Sequence, residues 1–150
     1  MRRAPLKAAI AGAAALLLLL ATGAGTAATA ADLTIRIQGV RASKGDIYLG
    51  VFASPANWPD GDRAEHPGKW PAQKGTMTVV LRGLPPGRYA AVGYHDENGN
   101  GELDTNLIGI PKEGYMFSND LHPKFSAPGF EEAAFTLPPE GTTITITVQY

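Results

Sequence analysis

The chain contains no cysteine among its 150 residues. That absence excludes disulfide staples, a thiol nucleophile, a thiolate metal site and attachment through a lipidated cysteine. Charge is also scarce, at 18% of residues, with 13 basic against 14 acidic side chains. No cluster of Lys and Arg offers the electrostatic footprint that nucleic acid requires. There is no G-x-S-x-G and no H-E-x-x-H, and the four serines, at 43, 54, 118 and 126, lie in turn-like contexts. The three histidines, His66, His95 and His122, have no paired spacing. After residue 30 no 11-residue window has helical periodicity, and 18 glycines and 12 prolines punctuate the chain.

One apolar run is present, at the N-terminus. Arg2, Arg3 and Lys7 precede Ala8 to Ala21, which ends in the leucines 16 to 20, and small residues then lead to Ala28-Thr29-Ala30. Basic residues, a short apolar core and an A-x-A site predict a signal peptide cleaved after Ala30, hence export to the periplasm or beyond. The run falls short of the roughly 20 strongly apolar residues of a spanning helix, so no membrane span is expected in the mature chain. Three of the 13 basic residues and none of the 14 acidic ones lie in this segment, which leaves 10 against 14 and a net charge of −4. Residues 31–150 then form one domain, large enough to bury a core without staples.

That domain reads as all-β. Leu33, Ile35 and Ile37 alternate with polar residues, and Ile47, Leu49 and Val51 share one side of GDIYLGVF. Lys44-Gly45-Asp46 between these runs is turn chemistry and predicts a hairpin. TMTVVL (76–81) and RYAAVGY (88–94) read as the next pair, with Pro86-Gly87 suited to a type II turn. Ala133–Leu137 and Thr142–Tyr150 close the chain around Pro138-Pro139-Glu140-Gly141. Six or seven short strands in this length predict a single Greek-key β-sandwich of about seven strands. Residues 54–74 read as a connection with no period, four prolines and both tryptophans. Trp58 and Trp70 there are either a platform for a ligand or a lid on the core.

The richest stretch follows the strand 88–94. Oxygen-bearing side chains recur at every second residue, as Asp96, Asn98, Asn100, Glu102 and Asp104, with Gly101 at the sixth position and Leu103 at the eighth. This is the ligand spacing of a Ca²⁺ loop, in which a hard cation collects six to eight oxygens. The twelfth position, normally a bidentate glutamate, is Leu107, so the last ligands would come from Glu113, Asp120 or carbonyls. A glycine-rich turn explains the same residues without an ion, since Asp and Asn bond their own backbone. In GIPKEGYMFSND, Ile108, Ile110, Tyr115 and Phe117 read as apolar ribs across the sandwich end. Glu113, Tyr115, Ser118 and Asn119 are candidates for a ligand site in the loops 95–120, or simply satisfy loop backbone groups.

The string HDENGNGELDTNLIGIPKEGYMFSND, preceded by LPPGRYAAVGY and followed by PGFEEAAFTL, resembles the exported bacterial family DUF2141, a domain of unknown function. The resemblance runs from Leu33 to Tyr150. It implies a periplasmic or secreted β-sandwich similar to transthyretin-like and carboxypeptidase regulatory-like domains, with no activity attached. Two departures stand out: the family usually has glycine where this chain has Met116, and its connection after the second strand is less rich in Trp and Pro. Two functions remain in view. One is a non-catalytic module binding Ca²⁺, a small ligand or a protein partner; the other is a divergent hydrolase or metal-dependent enzyme using His95 and Asp96.

Overall fold

In a computed structural model, which describes residues 29–150, period-2 segments become two sheets facing one another. The strands are β1 (Ala31–Val40), β2 (Asp46–Phe52), β3 (His66–Pro71), β4 (Gly75–Leu84), β5 (Gly87–Asp96), β6 (Gly114–Phe117), β7 (Phe135–Leu137) and β8 (Thr142–Thr147). One sheet has the order β4-β1-β8, with β8 parallel to β1. The other has the order β3-β2-β5-β6, and β7 pairs with β5 beside the end of β6. The described helices are short, with Phe130–Ala133 the only α-helical turn among the described residues. The signal-peptide reading falls on residues 1–28, outside the described residues, and on the coil at 29–30.

The core lies between the sheets. Leu33, Ile35 and Ile37 from β1, Met77 and Val79 from β4 and Ile146 from β8 meet Ile47, Leu49, Val51, Ala91 and Met116 from the other sheet. Each fully buried aliphatic side chain contributes about 1.5–3 kcal/mol relative to exposure, so this layer carries the stability that disulfides cannot. Met116 is fully buried here. The opposite face of the β4-β1-β8 sheet is wet, with Thr34, Arg36 and Thr78 alternating outward.

Several expectations need correction. The runs around 33–38 and 45–52 are not hairpin neighbours: β1 pairs with β4 and β8, while β2 pairs with β3 and β5. Period 2 tells which face is buried but not which strand lies alongside. The link between them crosses from sheet to sheet at Gly45, whose φ is +69° and where a Cβ would stand 1.8 Å from the Asp96 carbonyl oxygen. The strands at 76–81 and 88–94 likewise belong to different sheets. Their link is not a type II turn on Pro86-Gly87, because the positive φ (+73°) falls on Gly83. Residues 54–74 are not without regular structure, since β3 lies within them and pairs with β2. Its two prolines are tolerated because it is an edge strand. The strands number eight among the described residues, one more than expected.

Candidate functional site

The five-stranded sheet has an outer face of unusual composition, built by registry. Lys69, Tyr48, Tyr94 and Tyr115 stand in one row across β3, β2, β5 and β6. Pro67, Gly50, Val92 and Phe117 form the next row. The rings of Tyr48 and Tyr94 stack at 4.9 Å with 2° between their planes, and the Lys69 ammonium lies 5.6 Å from the Tyr48 ring.

One end of this face is closed by a second core. Phe52 and Ala90 point outward there and are covered by Phe130, Ala133 and Trp58. Trp58 packs its ring edge against Phe52 and Phe130, and its indole N–H donates to the Pro128 carbonyl at 2.7 Å. The structure places Trp70 on the inner side, opposite Ile47 and against the main core. The short turn Gly61–Arg63 lies over Gly50, where a Cβ would meet the Gly61 carbonyl oxygen at 2.8 Å.

The other end stays open as a groove of about 1090 Å³. Tyr48, Val92, Tyr94, Tyr115 and Phe117 floor it, and the segments 101–103, 108–111 and 122–127 wall it. Two floor residues hold the walls: Tyr94 donates its hydroxyl to the Gly101 carbonyl at 2.8 Å, and Tyr115 donates to Pro123 at 3.1 Å. Burial pushes the Tyr94 phenol far above its ordinary value, so it remains a donor throughout the physiological range. The lips are apolar. Ile108 is 80% exposed, Ile110 50% and Phe125 99%, and all three line the groove. The expectation that Ile108 and Ile110 pack as ribs across the sandwich end is therefore wrong, although Phe117 is buried and Tyr115 half-buried. Both isoleucines sit in a tight loop that Asn106 organises by accepting N–H bonds from Ile108 and Ile110, which turns their side chains to solvent.

The Asp96 loop forms the base of one wall. Asp96 is fully buried, and its carboxylate accepts N–H bonds from Gly99 (2.7 Å), Asn100 (3.3 Å) and Gly101 (2.8 Å). The positive φ values at Gly99 (+78°) and Gly101 (+80°) let the backbone curl around it. Asn98 Oδ1 accepts from the Asn100 N–H, and Asn100 Oδ1 accepts from the Glu102 N–H. Both amides donate to the Asp104 carboxylate. Buried Glu113 staples the ends of the loop, accepting the Glu97 N–H at 2.9 Å and the Asp104 N–H at 3.1 Å. Glu102 offers its N–H inward and its exposed side chain to the groove. Asp120 lies outside this network and accepts the Thr147 N–H of β8. Among the described residues no three acidic or histidine side chains stand together as a metal-holding group.

The other named residues are also tied to backbone. Ser118, fully buried, accepts the Ala91 N–H at 2.9 Å and donates to the Ala133 carbonyl at 2.6 Å. Asn119 donates to the carbonyls of Glu132 and Ala134. His95 is 0% exposed. One of its ring nitrogens, Nε2, donates to the Lys44 carbonyl at 2.7 Å, since a carbonyl can only accept, and Nδ1 is hydrogen-bonded to the Tyr150 hydroxyl at 2.7 Å. Tyr150 in turn accepts the Arg41 N–H at 3.0 Å. The Arg41 guanidinium grips both oxygens of Glu97, and those hydrogen bonds hold the Glu97 carboxyl below its ordinary value.

Sequence reasoning passed over Tyr48, Val92, Tyr94 and Phe125. The first three had a signal: they are the alternate positions to the core-facing residues of β2 and β5, and they are aromatic or apolar where a solvated face would be polar. Phe125 had none.

No curated protein and no solved structure matches this chain. A family model does, over residues 35–145, a stretch that reaches into every strand and includes the Asp96 loop and both lips of the groove. The chain belongs to the family described as uncharacterized protein conserved in bacteria (DUF2141).

Proposed function

We propose that this protein is an exported, non-catalytic binding module that holds an apolar or aromatic small molecule in the groove on the outer face of its five-stranded sheet. The observation that carries this reading is the pair of apolar lips, Ile108 and Ile110 on one wall and Phe125 on the other, held open over an aromatic floor. Exposed apolar side chains clustered at a concave site are the usual mark of a ligand surface. Their burial by a ligand contributes about 1.5–3 kcal/mol per side chain, before the cost of ordering it. Export rests on the N-terminal pattern of basic, apolar and A-x-A segments. The crossings from β1 to β2 and from β4 to β5 fit a Greek-key scaffold. A non-catalytic role is supported by the engagement of His95 and Asp96 with backbone and Tyr150, which leaves neither poised on the groove.

The test is a fluorescence titration with N-phenyl-1-naphthylamine, a dye that brightens in apolar sites. Binding in the micromolar range is expected, weakened at least about tenfold by Ile110→Asp with Phe125→Asp, because a desolvated carboxylate opposes an apolar ligand. An unchanged affinity in that variant would remove the groove as the site.

A second reading concerns the Asp96 loop, where Asn98 and Asn100 both reach the Asp104 carboxylate. A cation there would be held by the Asp104 carboxylate in place of the two amide N–H groups, with the side-chain oxygens of Asn98 and Asn100 as further ligands. With Leu107 at the twelfth position, affinity falls in the weak extracellular range of about 10⁻⁴ to 10⁻³ M. At ten times the dissociation constant, Ca²⁺ stabilises the fold by roughly 1.4 kcal/mol, a rise of several degrees in Tm. Thermal melts in 10 mM Ca²⁺ and in chelator should differ by that amount in the wild type and coincide in Asp104→Ala. Coincident wild-type melts would leave the loop as a turn alone.

A further inference from the structure

Each sheet ends in edges whose unpaired N–H and C=O groups attract another extended chain, and natural proteins blunt such edges. Among the described residues, the edges β3, β6 and β8 are blunted. The strand β3 carries Pro67 and Pro71, which lack an N–H, and the cation Lys69. The strand β6 exchanges two backbone hydrogen bonds with Gln149 through Tyr115. The strand β8 is covered at its end by Asp120, which accepts the Thr147 N–H.

The fourth edge, β4, meets a side chain near one end, where Asp32 accepts the Gly83 N–H at 3.2 Å, but along Met77 to Leu81 it has none of these devices. It is 10 residues long, without proline or lysine, and among the described residues β1 is the strand it pairs with. Its register is regular from Met77 to Leu81, the irregularities lying beyond both ends of that stretch. Its one charged side chain, Arg82, is beside Asp32 at 3.4 Å. Val80, 42% exposed, is the large apolar residue on an outer face otherwise made of Thr and Arg.

We propose that β4 pairs antiparallel with β4 of a second copy of this chain, joining the two three-stranded sheets into a continuous six-stranded one. The strand is self-complementary about Val79. A two-fold axis there sets Val80 opposite Thr78 of the second copy on the wet face. It sets Met77 opposite Leu81 on the core face, so the buried side of each sheet continues into the other. Arg82 falls opposite Thr76, and the two Arg82 residues stand about 20 Å apart along the strands, beyond the Debye length at physiological salt. No like charges oppose one another, and Thr and Val are both β-branched residues that suit a strand. The groove lies on the other sheet, so dimer formation leaves it open.

Sedimentation velocity of the purified protein from about 1 to about 500 µM should show a shift from monomer to dimer. The double substitution Thr78→Lys with Val80→Lys places lysines opposite lysines and should weaken association at least about tenfold. Both positions are exposed on the wet face, and circular dichroism should report an unchanged fold. The matching variant Thr78→Glu with Val80→Glu should also be monomeric, and mixing the two should restore a dimer containing one of each. That exchange distinguishes β4 pairing from association elsewhere. A wild type that stays monomeric at the highest concentration, lysine variants that dimerise like wild type, or a mixture that stays monomeric would each overturn the proposal.

Discussion

Asp96→Ala is expected to lower stability by about 3 kcal/mol, or roughly 10 °C in Tm for a domain of this size. The reason is the position of the carboxylate. It is fully buried and satisfies three backbone N–H groups, those of Gly99, Asn100 and Gly101. Each buried donor left unpaired costs about 1–3 kcal/mol, and water entering the truncated loop recovers part of that sum. Asp96→Asn keeps one acceptor oxygen but points an amide N–H at a backbone N–H, so about half the loss is expected. An ordinary surface turn residue would lie within about 0.5 kcal/mol of wild type. Urea melts of the three proteins decide between these cases, and a loss below 0.5 kcal/mol for Asp96→Ala would show that the loop does not depend on its carboxylate.

His95→Leu is the second large effect, expected at about 2–4 kcal/mol. The side chain lies in the inner row with Ile47, and its two nitrogens join the Lys44 carbonyl to the Tyr150 hydroxyl. Leucine fills much of the space but leaves the part-buried Lys44 carbonyl without its donor. Tyr150→Phe removes one of the same bonds and leaves the Arg41 N–H seeking a partner, at a cost of about 1 kcal/mol. The two losses should be less than additive in a double-mutant cycle, since the Tyr150–His95 bond is lost once in either single variant. Additive losses would mean that the two residues act independently.

These two residues also show how far the sequence could be read. The strands were legible because Leu33, Ile35 and Ile37, or Ile47, Leu49 and Val51, alternate with residues of another kind. Pairing was not, because sheet partners are chosen by contacts far along the chain. The β1–β2 link looks like a hairpin turn and carries the chain to the other sheet. The strand β3 was hidden by Pro67, Gly68 and Pro71, residues that argue against any strand except an edge. At the Asp96 loop, the turn and its oxygen spacing could be read. Whether those oxygens face N–H groups or a cation is a matter of side-chain direction, which spacing does not encode. The groove escaped because its floor comes from three strands and its walls from two loops, and Ile108 and Ile110 read as packed until Asn106 turned them outward.

The groove itself is tested most directly by chemical-shift mapping on ¹⁵N-labelled protein titrated with N-phenyl-1-naphthylamine. Ligand in the groove should move the amides of Tyr48, Val92, Tyr94 and Tyr115 and of the segments 108–111 and 123–126, while Thr34, Arg36 and Thr145 on the wet face of the other sheet stay still. Shifts confined to that threonine-bearing face, or none at saturating dye, would contradict a ligand site between the apolar lips.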